Sequence, residues 1–200
     1  MKKILNTKYK ILNTKGFTLI ELVVSLAVIT ILISLFLANY RNGSRGTELN
    51  LAAETLATDI RSAQDSTMGV EQYNGVVPKG GWGVHFDKTV SAYTLFADLN
   101  ADKTFNSGGA NDEGNVGYGA RVFTLPANVT IDSISLKNNN NYVSANKVDI
   151  TFVPPDPITN IYNSDSSATS TDVIIVLKDG ISQSTKSISV NFFGLIQVVN

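Results

Sequence analysis

The sequence predicts an α+β protein with a long N-terminal transmembrane helix whose outer half packs on an antiparallel β-sheet domain. Three observations carry the prediction. Residues 17–37 contain one ionisable side chain, Glu21. An apolar stripe at helical spacing follows, formed by Leu49, Ala52, Ala53, Leu56, Ile60 and Ala63. Beyond Gly69 the chain breaks into short alternating or β-branched runs separated by turn-rich segments.

The apolar run comes first. At about 1.5 Å of rise per residue it makes a helix of roughly 30 Å, the thickness of a bilayer's hydrocarbon core. A carboxylate in such a helix costs about 2.5–3.5 kcal/mol at the centre and less toward the interface. Glu21 therefore calls for a partner. Cleavage between Gly16 and Phe17 supplies one, because Phe17 then carries a free α-amino group one helical turn from Glu21. The helix N-terminus also favours a negative side chain. A neighbouring subunit's amine is equally able to neutralise Glu21, which would then set the register between subunits.

Residues 1–16 carry Lys2, Lys3, Lys8, Lys10 and Lys15 and no acid, with Lys-Ile-Leu-Asn-Thr-Lys repeated at 3–8 and 10–15. The repeat reads as a duplication that adds positive charge on the cytoplasmic side of the membrane. A secretory signal would need a shorter apolar region with a small-residue cleavage site after it. Here Asn39-Tyr-Arg-Asn-Gly follows the run, so cleavage before it is the better expectation. Without the five leader lysines, eleven basic side chains face seventeen acidic ones, a balance of −6. That is a poor footprint for nucleic acid. The chain has no Cys, which excludes disulfides and zinc–thiolate sites.

After residue 37, Asn39, Asn42, Gly43 and Gly46 weaken the helix. A bend or melted turn is expected there, with Thr47 capping a second, amphipathic stretch. The expected domains are thus a basic leader (1–16), a transmembrane and assembly helix (17–40), its amphipathic continuation (41–68) and a β-rich domain (69–200). Strands are expected at 81–86, 90–97, 121–125, 129–136, 147–153, 173–178, 186–193 and 195–199. The polar tracts 137–142 and 164–171 read as exposed loops.

The string Gly-Phe-Thr-Leu-Ile-Glu-Leu at 16–22, after a basic leader and before an apolar stretch, resembles the type IV prepilin signature. That resemblance implies cleavage after Gly16 by a prepilin peptidase, N-methylation of Phe17, and subunit assembly through Glu21. A helix ending LATDIRSAQDST (56–67), the WGVHF strand (82–86), YTLFADLN (93–100), LPANVTI (125–131), ITFVPPD (150–156) and ISVNFFGLIQV (188–198) together resemble the GspH/FimT group. These are minor pseudopilins of type II secretion and minor type IV pilins. The resemblance implies the pilin fold. It implies as partners other pilins or pseudopilins, an inner-membrane platform protein and an assembly ATPase. It places the protein in the cytoplasmic membrane, leader inside and C-terminal domain outside, before entry into a filament. The chain departs from the group at Gly194-Leu195, where Gly-Arg is usual. Nothing after Lys186 is basic, which counts against a DNA-uptake role.

Candidate chemistry elsewhere is sparse. Asp98, Asn100 and Asp102 place oxygen donors at alternating positions, as at the start of a calcium loop. Lys103 and Gly109 occupy the places where an EF-hand needs Gly and Glu, so that form fails. Asp112 and Glu113 leave a looser calcium site open, against the favoured alternative of a metal-free surface loop. His85, the single histidine, is expected to face solvent across the strand from Trp82, Val84 and Phe86. The Gly80-Gly81 and Gly108-Gly109 pairs lack the Lys-Ser/Thr of a phosphate loop. No enzyme is expected and no cofactor is required. A membrane-anchored β-domain that binds a ligand without polymerising is the competing reading.

Overall fold

The computed structural model describes residues 16–108, 113, 120–138, 141–155 and 158–199, with backbone alone for 38–45. The leader expected at 1–16 lies outside these residues except for Gly16. Helix α1 spans Leu19–Met68. The chain divides into two compact units between Arg41 and Asn42, and each is described by itself.

In the first unit, Leu19–Leu37 has a mean hydropathy of 2.7 and none of its length is buried. It is long and apolar enough to cross a membrane. Its hydroxyls are satisfied within the helix. Ser25, Thr30 and Ser34 donate to the carbonyls of Glu21, Leu26 and Thr30 at 2.7, 2.7 and 2.8 Å. Each of the three hydroxyls in Leu19–Leu37 is therefore paired within the helix, as an apolar surrounding requires.

The backbone is helical through Gly43 and Gly46, where a melted turn was anticipated, and Thr47 lies inside the helix rather than at a cap. Two glycines cost about 1 kcal/mol each relative to Ala. Starting a new helix requires a fresh nucleus, which is also unfavourable.

The second unit packs the remainder of α1 on two antiparallel sheets. Leu49, Ala52, Ala53, Leu56, Ala57, Ile60 and Ala63 are buried in one core with residues of both sheets. Four of these seven are Ala, which lets the helix backbone lie close to the strands. Polar contacts fix its position. Arg61 donates to the Ile196 carbonyl at 3.0 Å, Gln64 to that of Gly194 at 3.4 Å, and the Tyr93 hydroxyl to Asp59.

Sheet I contains β1 (Gly81–Asp87), β2 (Ala92–Asp98), β3 (Arg121–Thr124), β6 (Lys147–Val153), β7 (Ile158–Asn163) and β8 (Ala168–Ser170), ordered β3-β2-β1-β6-β7-β8. Sheet II contains β4 (Val129–Asn138), β5 (Asn141–Ala145), β9 (Asp172–Asp179), β10 (Thr185–Asn191) and β11 (Ile196–Val199), ordered β11-β10-β9-β4-β5. The expected antiparallel β-sheet domain is therefore built of two sheets.

Period-two alternation sets the core faces. Trp82, Val84 and Phe86 of β1 face inward with Val148, Ile150 and Phe152 of β6, and Val173, Ile175 and Leu177 of β9 do the same in sheet II. Burying such a side chain contributes about 1.5–3 kcal/mol. In β4 the inward residues run Val129, Ile131, Ile134, Leu136, an interval of three in a two-residue repeat. The register shifts between Ile131 and Ser133. The bulge turns both halves of the strand to the core.

The expected loop at 137–142 is largely strand, because Lys137 and Asn138 in β4 pair with Tyr142 and Asn141 in β5. Likewise, Ala168–Ser170 within 164–171 forms the short edge strand β8.

Sheet I has a second, outer layer. Phe96 and Asp98 of β2 and Asp149 and Thr151 of β6 point away from the main core yet are buried. Part of the β2–β3 connection lies over them: the Phe105 ring meets Phe96 edge-on at 5.3 Å and stacks on His85 at 4.6 Å. Gly83 makes room for this layer. A Cβ there would stand 2.7 Å from Thr151 Cγ2, 2.8 Å from the Ile150 carbonyl and 2.9 Å from the Phe96 ring.

Candidate processing and assembly site

Thr18 starts the helix. Its Oγ1 accepts the Glu21 N–H at 3.3 Å and its carbonyl accepts the Leu22 N–H at 3.2 Å. This is N-cap geometry, and Thr18 with Glu21 has the spacing of a capping box. Sequence reasoning passed over Thr18, although Thr-Leu-Ile-Glu is the Ser/Thr-x-x-Glu signal for such a start.

The cap has a chemical consequence. Gly16 and Phe17 fall outside the helix and are exposed, Phe17 by 79%. The peptide bond between them is therefore free of helical hydrogen bonding. Capping by Thr18 uses Thr18's own oxygens, so breaking the preceding peptide bond leaves the cap intact. Glu21 projects one turn further on, exposed within an apolar segment. Among the described residues no ion pair involves it.

The acidic loop after β2 is folded around its own donors. Asp98 is buried; its Oδ1 and Oδ2 accept the N–H groups of Ala101 and Lys103 at 2.7 and 2.9 Å. Asp102 Oδ1 accepts the N–H and hydroxyl of Thr104, and Oδ2 accepts the amides of Asn100 and Asn106 at 2.8 and 2.6 Å. Glu113, also buried, accepts the N–H of Leu99 at 3.0 Å and that of Asn106 at 3.3 Å. Asp112 and Gly109 lie outside the described residues. Among the described residues no group of three or more His, Cys, Asp or Glu is placed to hold a metal ion. Asp98, Asn100 and Asp102 thus come together as a self-bonded turn.

Burial pushes the Glu113 carboxyl up to about 7, with the Asp98 and Asp102 charges adding to the effect and two backbone amides opposing it. Burial raises Asp98 as well, despite its amide partners. Asp102 is partly desolvated too, but hydrogen bonds from Thr104, Asn106 and Asn100 outweigh this and hold it below the usual carboxylate range.

His85 departs from expectation. It lies on the outer face of β1, as alternation requires, but that face is not open to solvent. Only 14% of its side chain is exposed, and Nδ1 lies 2.5 Å from Oδ1 of buried Asp149. Asp149 Oδ2 accepts the Ser164 hydroxyl at 2.6 Å. Asp149 is the β6 residue directly across from His85. No motif of adjacent residues marks the pair, because the two lie 64 residues apart.

The glycines at 80 and 81 have a packing role. A Cβ on Gly80 would collide with the Asp98 carboxyl, and one on Gly81 with the Phe152 carbonyl. Gly81 also adopts φ +81°, which disfavours a side chain.

No curated protein and no solved structure matches the chain. A family model, the prokaryotic N-terminal methylation motif, matches residues 11–37. This stretch contains Gly16, Phe17 and Glu21 and the whole apolar span Leu19–Leu37. The chain therefore carries a type IV pilin-like prepilin signal on a membrane-anchoring helix, which implies processing by a prepilin peptidase and assembly with other pilins.

Proposed function

We propose that the protein is a minor pilin or pseudopilin of the GspH/FimT type, a structural subunit and not an enzyme, in a type II secretion pseudopilus or type IV pilus. The observation that carries this reading is the helix start. Thr18 caps α1 two residues after Gly16, leaving an exposed, non-helical Gly16–Phe17 bond and placing Glu21 one turn along an apolar helix.

In this mechanism the leader stays on the cytoplasmic side and the apolar helix stores the subunit in the membrane, with the β-domain outside. Cleavage after Gly16 frees the Phe17 amine, which the peptidase methylates. A platform protein and a cytoplasmic ATPase then extract the subunit. In the filament, the Glu21 carboxylate pairs with a neighbour's amine as the helices bundle. Pairing removes most of the cost of a lone carboxylate in an apolar setting, so a correctly registered neighbour is favoured over lipid. Replacing Glu21 with Ala and assaying sheared surface filaments tests this step. Loss of the subunit from filaments supports pairing; normal incorporation favours an anchored β-domain that does not polymerise.

Calcium binding by Asp98, Asn100 and Asp102 is an addition to this proposal. Thermal melts in calcium and in chelator, with Asp98→Ala and Asp102→Ala alongside, test it. An unchanged calcium response removes it.

A further inference from the structure

His85 lines a cavity of about 430 Å³ on the outer face of sheet I, together with Asp87, Thr94, Phe105, Ser107 and Lys147. That volume lies within the range of about 300–1,000 Å³ typical of small-molecule sites. Two features distinguish the cavity from a surface dent. Its histidine is fixed by a buried carboxylate on one edge and by the Phe105 ring on one face. Asp149 is itself held by Ser164. With Nδ1–H directed at Asp149, a neutral imidazole keeps its lone pair on Nε2, the ring nitrogen that Asp149 leaves free.

The charged side chains that line the cavity are already paired: Lys147 Nζ lies 3.0 Å from Asp87 Oδ2, its direct cross-strand neighbour. Asp149 is buried, with its two oxygens taken up by His85 Nδ1 and the Ser164 hydroxyl. Neither a cation nor an anion gains an uncompensated partner here. The remaining groups are of two kinds: the hydroxyls of Thr94 and Ser107 with the His85 Nε2, and the apolar surface of Phe105 with two valines. A ligand that presents hydroxyls on one side and C–H groups on the other, without net charge, satisfies both.

We propose that this cavity binds a neutral sugar ring, either free or at the end of a glycan. His85 Nε2 and the Ser107 and Thr94 hydroxyls would hydrogen-bond its hydroxyl groups, and Phe105 would cover its C–H face. The site is independent of Glu21 and of polymerisation, so it stands or falls apart from the filament mechanism.

One histidine in the chain gives one imidazole Cε1–H resonance, and NMR of the full chain in detergent micelles follows it directly. The probes are glucose, galactose and N-acetylglucosamine as free sugars, and β-1,4-linked tetramers of glucose and of N-acetylglucosamine as glycans. Phosphate and citrate serve as charged competitors. The expected result is a saturable shift with sugar. Ser107→Ala, in an exposed loop position, should weaken binding roughly five- to tenfold through one lost hydrogen bond. Phe105→Ala should weaken it further, and Ser107→Ala keeps the test valid if that variant unfolds. Saturation by free sugars assigns the site to a single ring; saturation by the tetramers alone assigns it to a glycan. The proposal is overturned if no sugar moves the resonance up to about 50 mM, far above a millimolar dissociation constant. It is also overturned if phosphate or citrate binds more tightly than every sugar.

Discussion

Thr67 accepts the backbone N–H of Trp82 on its hydroxyl oxygen at 3.0 Å. The same oxygen lies 3.0 Å from the Phe152 carbonyl and 3.1 Å from that of Ala63, two acceptors that compete for its single proton. One buried hydroxyl thereby joins the last turn of α1 to the first residues of β1 and to the end of β6. Val is nearly isosteric with Thr but has no hydroxyl. Thr67→Val should lose about 1–3 kcal/mol, because the buried Trp82 N–H loses its acceptor and the Phe152 and Ala63 carbonyls lose the donor they compete for. Thr67→Ser should keep most of that stability. Urea denaturation of the three proteins checks this; equal midpoints for Val and wild type would rule out the tie.

Glu113 makes the domain's stability depend on pH. Its folded value, about 7, lies above its ordinary value of 4.5, so between those two values the folded state holds the proton more tightly than the unfolded chain. The stabilisation is complete below about pH 4.5 and is lost as pH rises through 7. Asp98, also raised, acts in the same direction. Asp87 and Asp102 are lowered and act oppositely, but only as pH falls through the acidic range below their ordinary values. The melting temperature should therefore be higher at pH 5.5 than at pH 8, and Glu113→Gln should flatten the difference. A wild-type profile that rises from pH 5.5 to 8 would contradict this.

Gly83 holds open the space that Phe96 and Thr151 occupy. Gly83→Ala should cost about 1–3 kcal/mol, as overpacking does, and should disturb the Phe105 ring that rests on Phe96. Thermal melts measure the first effect, and the chemical shift of His85, against which Phe105 stacks, reports the second. A melt within half a degree of wild type would mean that the outer layer adjusts freely.

The parts of the fold that were legible in sequence are those with uninterrupted periodicity. The stripe from Leu49 to Ala63 and the alternation in β1, β6 and β9 each follow from side-chain spacing alone. β7 was missed because Thr159 and Asn160 break its apolar pattern, and β5 because Asn-rich text reads as loop until a partner strand is present. The Ile131–Ile134 interval in β4 held the bulge in plain view, yet its meaning depends on pairing with β9. At the helix start, Glu21 was conspicuous as a charge among apolar residues. Thr18 was not, because a Thr in an apolar run draws no attention until the helix boundary is known. The environment of His85 was hidden for a different reason. Alternation tells which face a residue occupies, but not whether a distant loop covers that face.

If residues 11–37 are a working prepilin signal, the intact mass and N-terminal sequence of the membrane-extracted protein will show it. The chain should begin at Phe17 and carry one added methyl group. A chain that begins at Met1 in cells with an active prepilin peptidase would contradict it.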